Sequence, residues 1–127
     1  MTGSSSEPEV DFRVEDERLQ EQVIEALRTV FDPEIPINIY DLGLVYRLDI
    51  GNDGAVTVFM TLTSPGSHLS YIMPERVEKA VRRVSGVVSC DVTLVWDPPW
   101  TTDRVSRSVR EQLDMPIAEA DQDEEDR

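Results

Sequence analysis

Apolar residues first recur at helical spacing. Leu19, Val23, Leu27 and Val30 share one face with charged residues between them, which predicts an amphipathic helix from Glu17. Pro33 ends it, because the residue before a proline avoids helical angles. Residues 32–43 hold two prolines and a glycine and read as an ordered loop. The period then drops to two. Tyr46, Leu48 and Ile50 alternate with Val45, Arg47 and Asp49. After the turn Gly51-Asn52-Asp53-Gly54, Val56, Val58, Met60 and Leu62 alternate again. That pattern predicts a β-hairpin with one apolar face.

Ser64-Pro65-Gly66 breaks the second strand. A second helix is predicted from about Ser70 or Pro74 to Ser85, with Met73, Val77, Ala80, Val81 and Val84 inward. Pro74 suits its first turn, where backbone donors are free, and Gly86 can terminate it. Val88, Cys90, Val92, Leu94 and Trp96 would line the inner face of a third strand, which makes Trp96 a core residue. Beyond Pro98-Pro99, Thr101 or Thr102 can cap a third helix carrying Val105, Val109 and Leu113 inward, closed by Pro116. The order α-β-β-α-β-α predicts a two-layer α+β domain. Three helices cover one face of a small three-stranded sheet, the hairpin plus one strand.

Composition sets the boundaries. Residues 1–14 are rich in serine and acids and too poor in apolar surface to offset their ordering entropy, so they read as a disordered tail. Residues 117–127, with six acids and one arginine, read the same way, leaving 15–116 as the folded domain. The formal charge of −14 argues against nucleic-acid binding, which needs a basic face. No run reaches the ~18–20 apolar residues of a membrane span, and no apolar leader opens the sequence, so a cytoplasmic location is expected. The single cysteine, Cys90, excludes an internal disulfide framework and fits a reducing compartment.

Three loops hold the unusual residues. Asp32, Glu34 and Asp41 offer carboxylates; Thr63, Ser64, Ser67 and His68 offer hydroxyls and an imidazole; Trp100 follows two prolines. Together they define one candidate functional rim. Asp32 and Asp41 also suit plain turn duty as acceptors, whereas Glu34 between Pro33 and Ile35 has no such task. His68 is either a surface loop residue or a nitrogen ligand. A Ser67–His68 nucleophile–base pair lacks the glycine-flanked elbow that such serines occupy. Cys90 is in phase with Val92 and Leu94 and should be buried. Arg104, Arg107 and Arg110 form a stripe that is either a solvated helix face or a dock for an acidic partner or the chain's own tails.

Read in order, Asp32-Pro33-Glu34-Ile35-Pro36, Asp41-Leu42-Gly43-Leu44-Val45, Thr61-Leu62-Thr63-Ser64-Pro65-Gly66-Ser67 and Trp96-Asp97-Pro98-Pro99-Trp100 resemble the SufT/PaaD-like iron–sulfur (metal–sulfur) cluster assembly family. The resemblance covers roughly residues 20–115. It implies a non-enzymatic accessory factor for assembling iron–sulfur clusters or transferring them to client proteins, and it favours functional roles for Asp32 and Glu34. That family carries a cysteine where this chain has Ser67. A serine hydroxyl is harder and far less acidic than a thiol, and iron–sulfur centres are held mainly by thiolates. The expectation is therefore transient contact with iron or a cluster, shared with an assembly protein, a client or a second copy, and no stable cluster on one chain. Two other readings stay open: an interaction module of the same fold that binds no cluster, and a small divalent-metal protein using Asp32, Glu34 and His68, with Ser67 a further candidate ligand.

Overall fold

The computed structural model describes residues 8–63 and 69–113. Strand β1 (Asp11–Val14) leads into helix α1 (Glu17–Leu27). Asp16 caps α1 by accepting the Arg18 N–H at 3.1 Å, and Leu19, Val23, Ile24 and Leu27 are buried. β2 (Val45–Ile50) and β3 (Ala55–Met60) form the hairpin, with Leu48, Ile50, Val56, Val58 and Met60 inside. Helix α2 (Leu69–Arg82) buries Met73, Val77 and Val81 and holds Pro74 within its second turn. Strand β4 (Ser89–Leu94), a 3-10 turn at Thr102–Arg104 and α3 (Arg107–Leu113) complete the fold.

The sheet has four strands in the order β1-β2-β3-β4, which corrects the expected three. β1 pairs parallel to β2, β2 antiparallel to β3, and β3 parallel to β4. The extra strand comes from residues 11–14, which composition had placed in the N-terminal tail. Val10, Phe12 and Val14 do alternate with Asp11 and Arg13, but over five residues inside a serine- and acid-rich stretch, so composition outweighed a short period-two signal. Main-chain pairing to Arg47–Ile50 holds it, extended by the Glu15 N–H donating to the Ile50 carbonyl at 2.7 Å. Residues 1–7 and 114–127, which hold the rest of the expected N-terminal tail, the last residues of the expected domain with Pro116, and the whole expected tail 117–127, lie outside the described residues.

Two further corrections concern the C-terminal third. Val88 and Trp96 are 72% and 44% exposed, so Trp96 is no core residue. Both fall outside β4, and strand alternation stops with the strand. Cys90 is buried, while Val92 and Leu94 are half-buried. The third helix is shorter than expected. Thr101 caps only the 3-10 turn, accepting the Asp103 N–H at 3.3 Å; Val105 is then extended, and α3 starts afresh at Arg107. Val105 is buried and Val109 half-buried against the core; the side chain of Leu113 lies outside the description.

The connection from α1 to β2 belongs to the core. Ile37, Ile39, Tyr40, Leu42 and Leu44 are all buried, and a side chain so buried contributes about 1.5–3 kcal/mol. Its backbone is satisfied internally: the Asp32 N–H donates to the Ile37 carbonyl at 3.1 Å and the Ile39 N–H to the Val30 carbonyl at 2.8 Å. The loop is therefore packed into the core rather than laid over it.

Candidate functional site

The start of β2 and the ends of β3 and β4 meet at one end of the sheet, where loops 32–43 and 97–102 come together. The Thr61 N–H donates to the Leu44 carbonyl at 2.8 Å, and the Val95 N–H to the Met60 carbonyl at 2.8 Å. The Tyr46 hydroxyl donates to the Pro98 carbonyl at 2.7 Å, and the Trp100 indole N–H to the Leu42 carbonyl at 2.7 Å. Arg104 stacks on the Tyr46 ring at 4.0 Å and donates to the carbonyls of Gly43 at 2.9 Å and Glu9 at 2.9 Å. Gly43 has φ +79°, and a Cβ there would collide with the Arg104 backbone carbonyl, so only glycine admits this approach. The Asp97–Pro98 peptide is cis.

Within this frame the predicted rim residues separate. Asp32 is 6% exposed, and its carboxylate accepts the N–H groups of Glu34 at 2.7 Å and Ile35 at 3.0 Å. That is turn chemistry, and it consumes one carboxylate oxygen. Glu34 is exposed, and its Oε1 receives the Thr63 hydroxyl at a long 3.4 Å. Loop 32–43 and the end of β3 thus meet at Glu34 and Thr63. Asp41 is a strut: it accepts the Asn38 side-chain amide at 2.9 Å, pairs with Arg28 at 3.5 Å, and its carbonyl accepts the Ser106 N–H at 2.8 Å. Trp100 is half-buried and fixed to Leu42, so it braces the loop from behind. Ser64, Ser67 and His68 lie outside the described residues.

Two exposed aromatics here escaped the sequence reading. Tyr71, in the first turn of α2, is 81% exposed, and Trp96 follows β4. For Tyr71 the signal existed: it sits two positions before Met73, about 200° round the helix from the buried stripe. Trp96 gave a misleading signal, being in phase with a strand that had already ended.

Thiolate chemistry is absent from this end. Cys90 pairs with Val56 near the start of β4, four residues from Leu94, or about 13 Å along the strand. Burial, with smaller contributions from Glu78 and Asp91, pushes its thiol up to about 12. A thiol so placed stays protonated at neutral pH and is buried away from the rim. No group of three or more His, Cys, Asp or Glu suited to a metal ion occurs among the described residues. The described donors at the rim are hydroxyl and carboxylate oxygens, a poor match for iron–sulfur centres.

A family model described as "Iron-sulfur cluster assembly protein" matches residues 20–94, the span holding the carboxylate-bearing loop 32–43, the hairpin, α2 and β4. The chain belongs to this family. It is 44% identical over 94 residues to an Fe-S protein maturation auxiliary factor of Porphyromonas gingivalis, covering 74% of this chain and 90% of that protein. It is 40% identical over 78 residues to the Fe-S protein maturation auxiliary factor SufT of Staphylococcus aureus, covering 61% and 89%. The crystal structure of a domain of unknown function, DUF59, from Bacillus anthracis superposes with a TM-score of 0.71 at 31% identity, covering 79% of this chain and 95% of that one. Among the described residues, no helix is long and apolar enough to cross a membrane.

Proposed function

We propose that this protein is an auxiliary factor in the maturation of iron–sulfur proteins, acting without catalysis, and that the sheet end bearing Glu34, Thr63, Tyr71 and Trp96 is its docking surface. The cluster is cargo here, held jointly with an assembly protein, a client or a second copy. Family membership supports the iron–sulfur setting. The observation that carries the shared-cargo reading is Cys90, the single cysteine of the chain, buried away from the rim with its thiol held protonated. Thiolates for a cluster must come from elsewhere.

Anaerobic transfer from a cluster-loaded scaffold to an apo-acceptor tests this. Added protein should speed transfer, while retaining no cluster itself after desalting. Unchanged transfer would remove the assembly reading. A stoichiometric cluster persisting on the monomer would remove the shared-cargo one. Ser67, standing where relatives of the resembled pattern carry cysteine, favours one second reading: an interaction module that binds the same partners without touching the cluster. Acceleration that persists with the cluster fully protected on the scaffold until acceptor contact would select it.

A further inference from the structure

The end of α1 and the outer flank of α2 enclose a groove beside loop 32–43, its lining residue Phe31 directly preceding Asp32. It consists of two adjoining hollows of about 250 and 420 Å³ that share Thr29, Ala80 and Arg83. Phe31 borders it, 53% exposed, and Arg76 and Lys79 line it with Arg83. Three of the twelve basic residues of a chain carrying −14 thus gather round one apolar hollow.

These charges are largely unspent. Among the described residues, neither the Arg76 nor the Arg83 side chain has a hydrogen-bond or ion-pair partner. Lys79 reaches Glu75 at 3.5 Å in an exposed pair, which holds it weakly. The neighbouring acids are engaged: Glu78 with Arg82 at 3.3 Å, and Glu25, at the far end of the second hollow, with Arg28 at 3.6 Å. The helix dipole favours Lys79 and Arg82 in the last turn of α2. It gives no account of Arg76, or of Phe31 left exposed beside three cations.

We infer that the chain's own acidic C-terminal segment, residues 114–127, docks in this groove. The segment carries seven acids and one arginine, with Met115 and Ile117 available to meet Phe31 and Ala80. It leaves the end of α3 at Leu113, and its 14 residues can span about 46–50 Å when extended. That exceeds the width of a domain whose radius of gyration is about 13 Å, so the groove is within reach. Being part of the same chain, the segment meets the groove intramolecularly, so weak contacts suffice. Nearer the segment, Arg104 is bound to Gly43 and Glu9. Arg107, in a weak exposed pair with Glu111 at 3.9 Å, and Arg110, whose buried Nε has no partner among the described residues, compete with the groove, but they line neither apolar hollow that would receive Met115 and Ile117. Docked in the groove, the segment excludes acidic segments of other proteins.

The inference holds or fails separately from cluster delivery, because its test reads no cluster. A nitroxide placed at Gln122→Cys in the full chain, with Cys90→Ala, should broaden the amide signals of Phe31, Ala80 and Arg83. The broadening should be present at ~0.01 M ionic strength and vanish at ~1 M, where the screening length falls from ~30 to ~3 Å. It should also vanish in R76E/R83E. If that double variant loses its dispersed amide spectrum, Arg76→Gln with Arg83→Gln takes its place and should weaken the broadening in the same residues. Broadening that survives these substitutions, broadening confined to another face, or none at low salt overturns the proposal.

Discussion

Two positions apart, Asp32 turns its carboxylate onto the N–H groups of Glu34 and Ile35, while Glu34 faces out towards Thr63. Asp32→Ala should therefore cost about 1–3 kcal/mol, the penalty for orphaning part-buried donors, and Asp32→Asn, which keeps an acceptor oxygen, much less. Glu34→Gln should leave stability within ~0.5 kcal/mol yet slow cluster transfer to an apo-acceptor. Urea melts and transfer rates on the three variants separate the roles, and slow transfer by a stable Asp32→Asn protein would return Asp32 to the functional list. The residue types were legible in the sequence; which carboxylate is spent on the backbone was not, because Asx turns and binding sites use the same residue. Cys90 gives a pH prediction. Its folded thiol is raised to about 12 from an ordinary value near 9, so its contribution to stability is complete below pH 9 and falls as pH climbs towards 12. The unfolded chain ionises there while the folded one does not. The fall can approach ~1.4 kcal/mol per pH unit, and Cys90→Ala should flatten it while lowering stability at neutral pH by ~1–2 kcal/mol. An alkaline limb unchanged in that variant would mean that the thiol is not the group responsible.

At the scale of elements, periodicity disclosed those that bury a face. α1, the hairpin and the buried stripe of α2 all follow from apolar spacing, because burial is what that spacing records. β1 and the break before α3 are harder to read. β1 shows only the short alternation of Val10, Phe12 and Val14 within an acidic stretch, and α3 is interrupted where the Ser106 N–H bonds to the Asp41 carbonyl, a contact between residues distant in sequence. The observed strand moves the predicted domain boundary. A chain starting at Pro8 should melt like the full protein, whereas one starting at Asp16 should lose at least ~2 kcal/mol, from several hydrogen bonds worth ~0.5–1.5 each. It would also leave β2 as an open edge and promote self-association, readable by light scattering. Equal thermal and urea stability of the two chains would show that β1 contributes nothing. The loop over the sheet end has its own test. Gly43→Ala must adopt a left-handed backbone against the Arg104 carbonyl, so it should cost more than ~1–2 kcal/mol. Its effect should be shared by Arg104 and Trp100, whose amide and indole signals should shift together.

For the whole molecule, the governing fact is that one chain owns one cysteine and has folded it away. The order of four short motifs was enough to place the chain in an iron–sulfur assembly family, since such loops are read from sequence directly. How Ser67 and His68 stand relative to Glu34 and Tyr71 was not, because it depends on the loop between Thr63 and Leu69. Chemistry nevertheless fixes what position 67 can supply. A serine hydroxyl stays protonated and hard, while a cysteine in the same place ionises near neutrality and bonds iron. After anaerobic reconstitution with ferrous iron and sulfide, the protein should keep almost no charge-transfer absorption through a desalting column. Ser67→Cys should keep measurably more iron and sulfide per chain, and more still where two copies or a partner pool their thiolates, since four are needed and each copy offers one. The side chains are nearly isosteric, so stability should change by well under ~1 kcal/mol. Retention by Ser67→Cys should therefore rise with protein concentration, and size-exclusion of the loaded sample should show the cluster travelling with a species larger than the monomer. If a folded Ser67→Cys protein retains no more iron than its parent at any concentration, the loop is not where the cargo is touched, and the protein acts on its partners through contact alone.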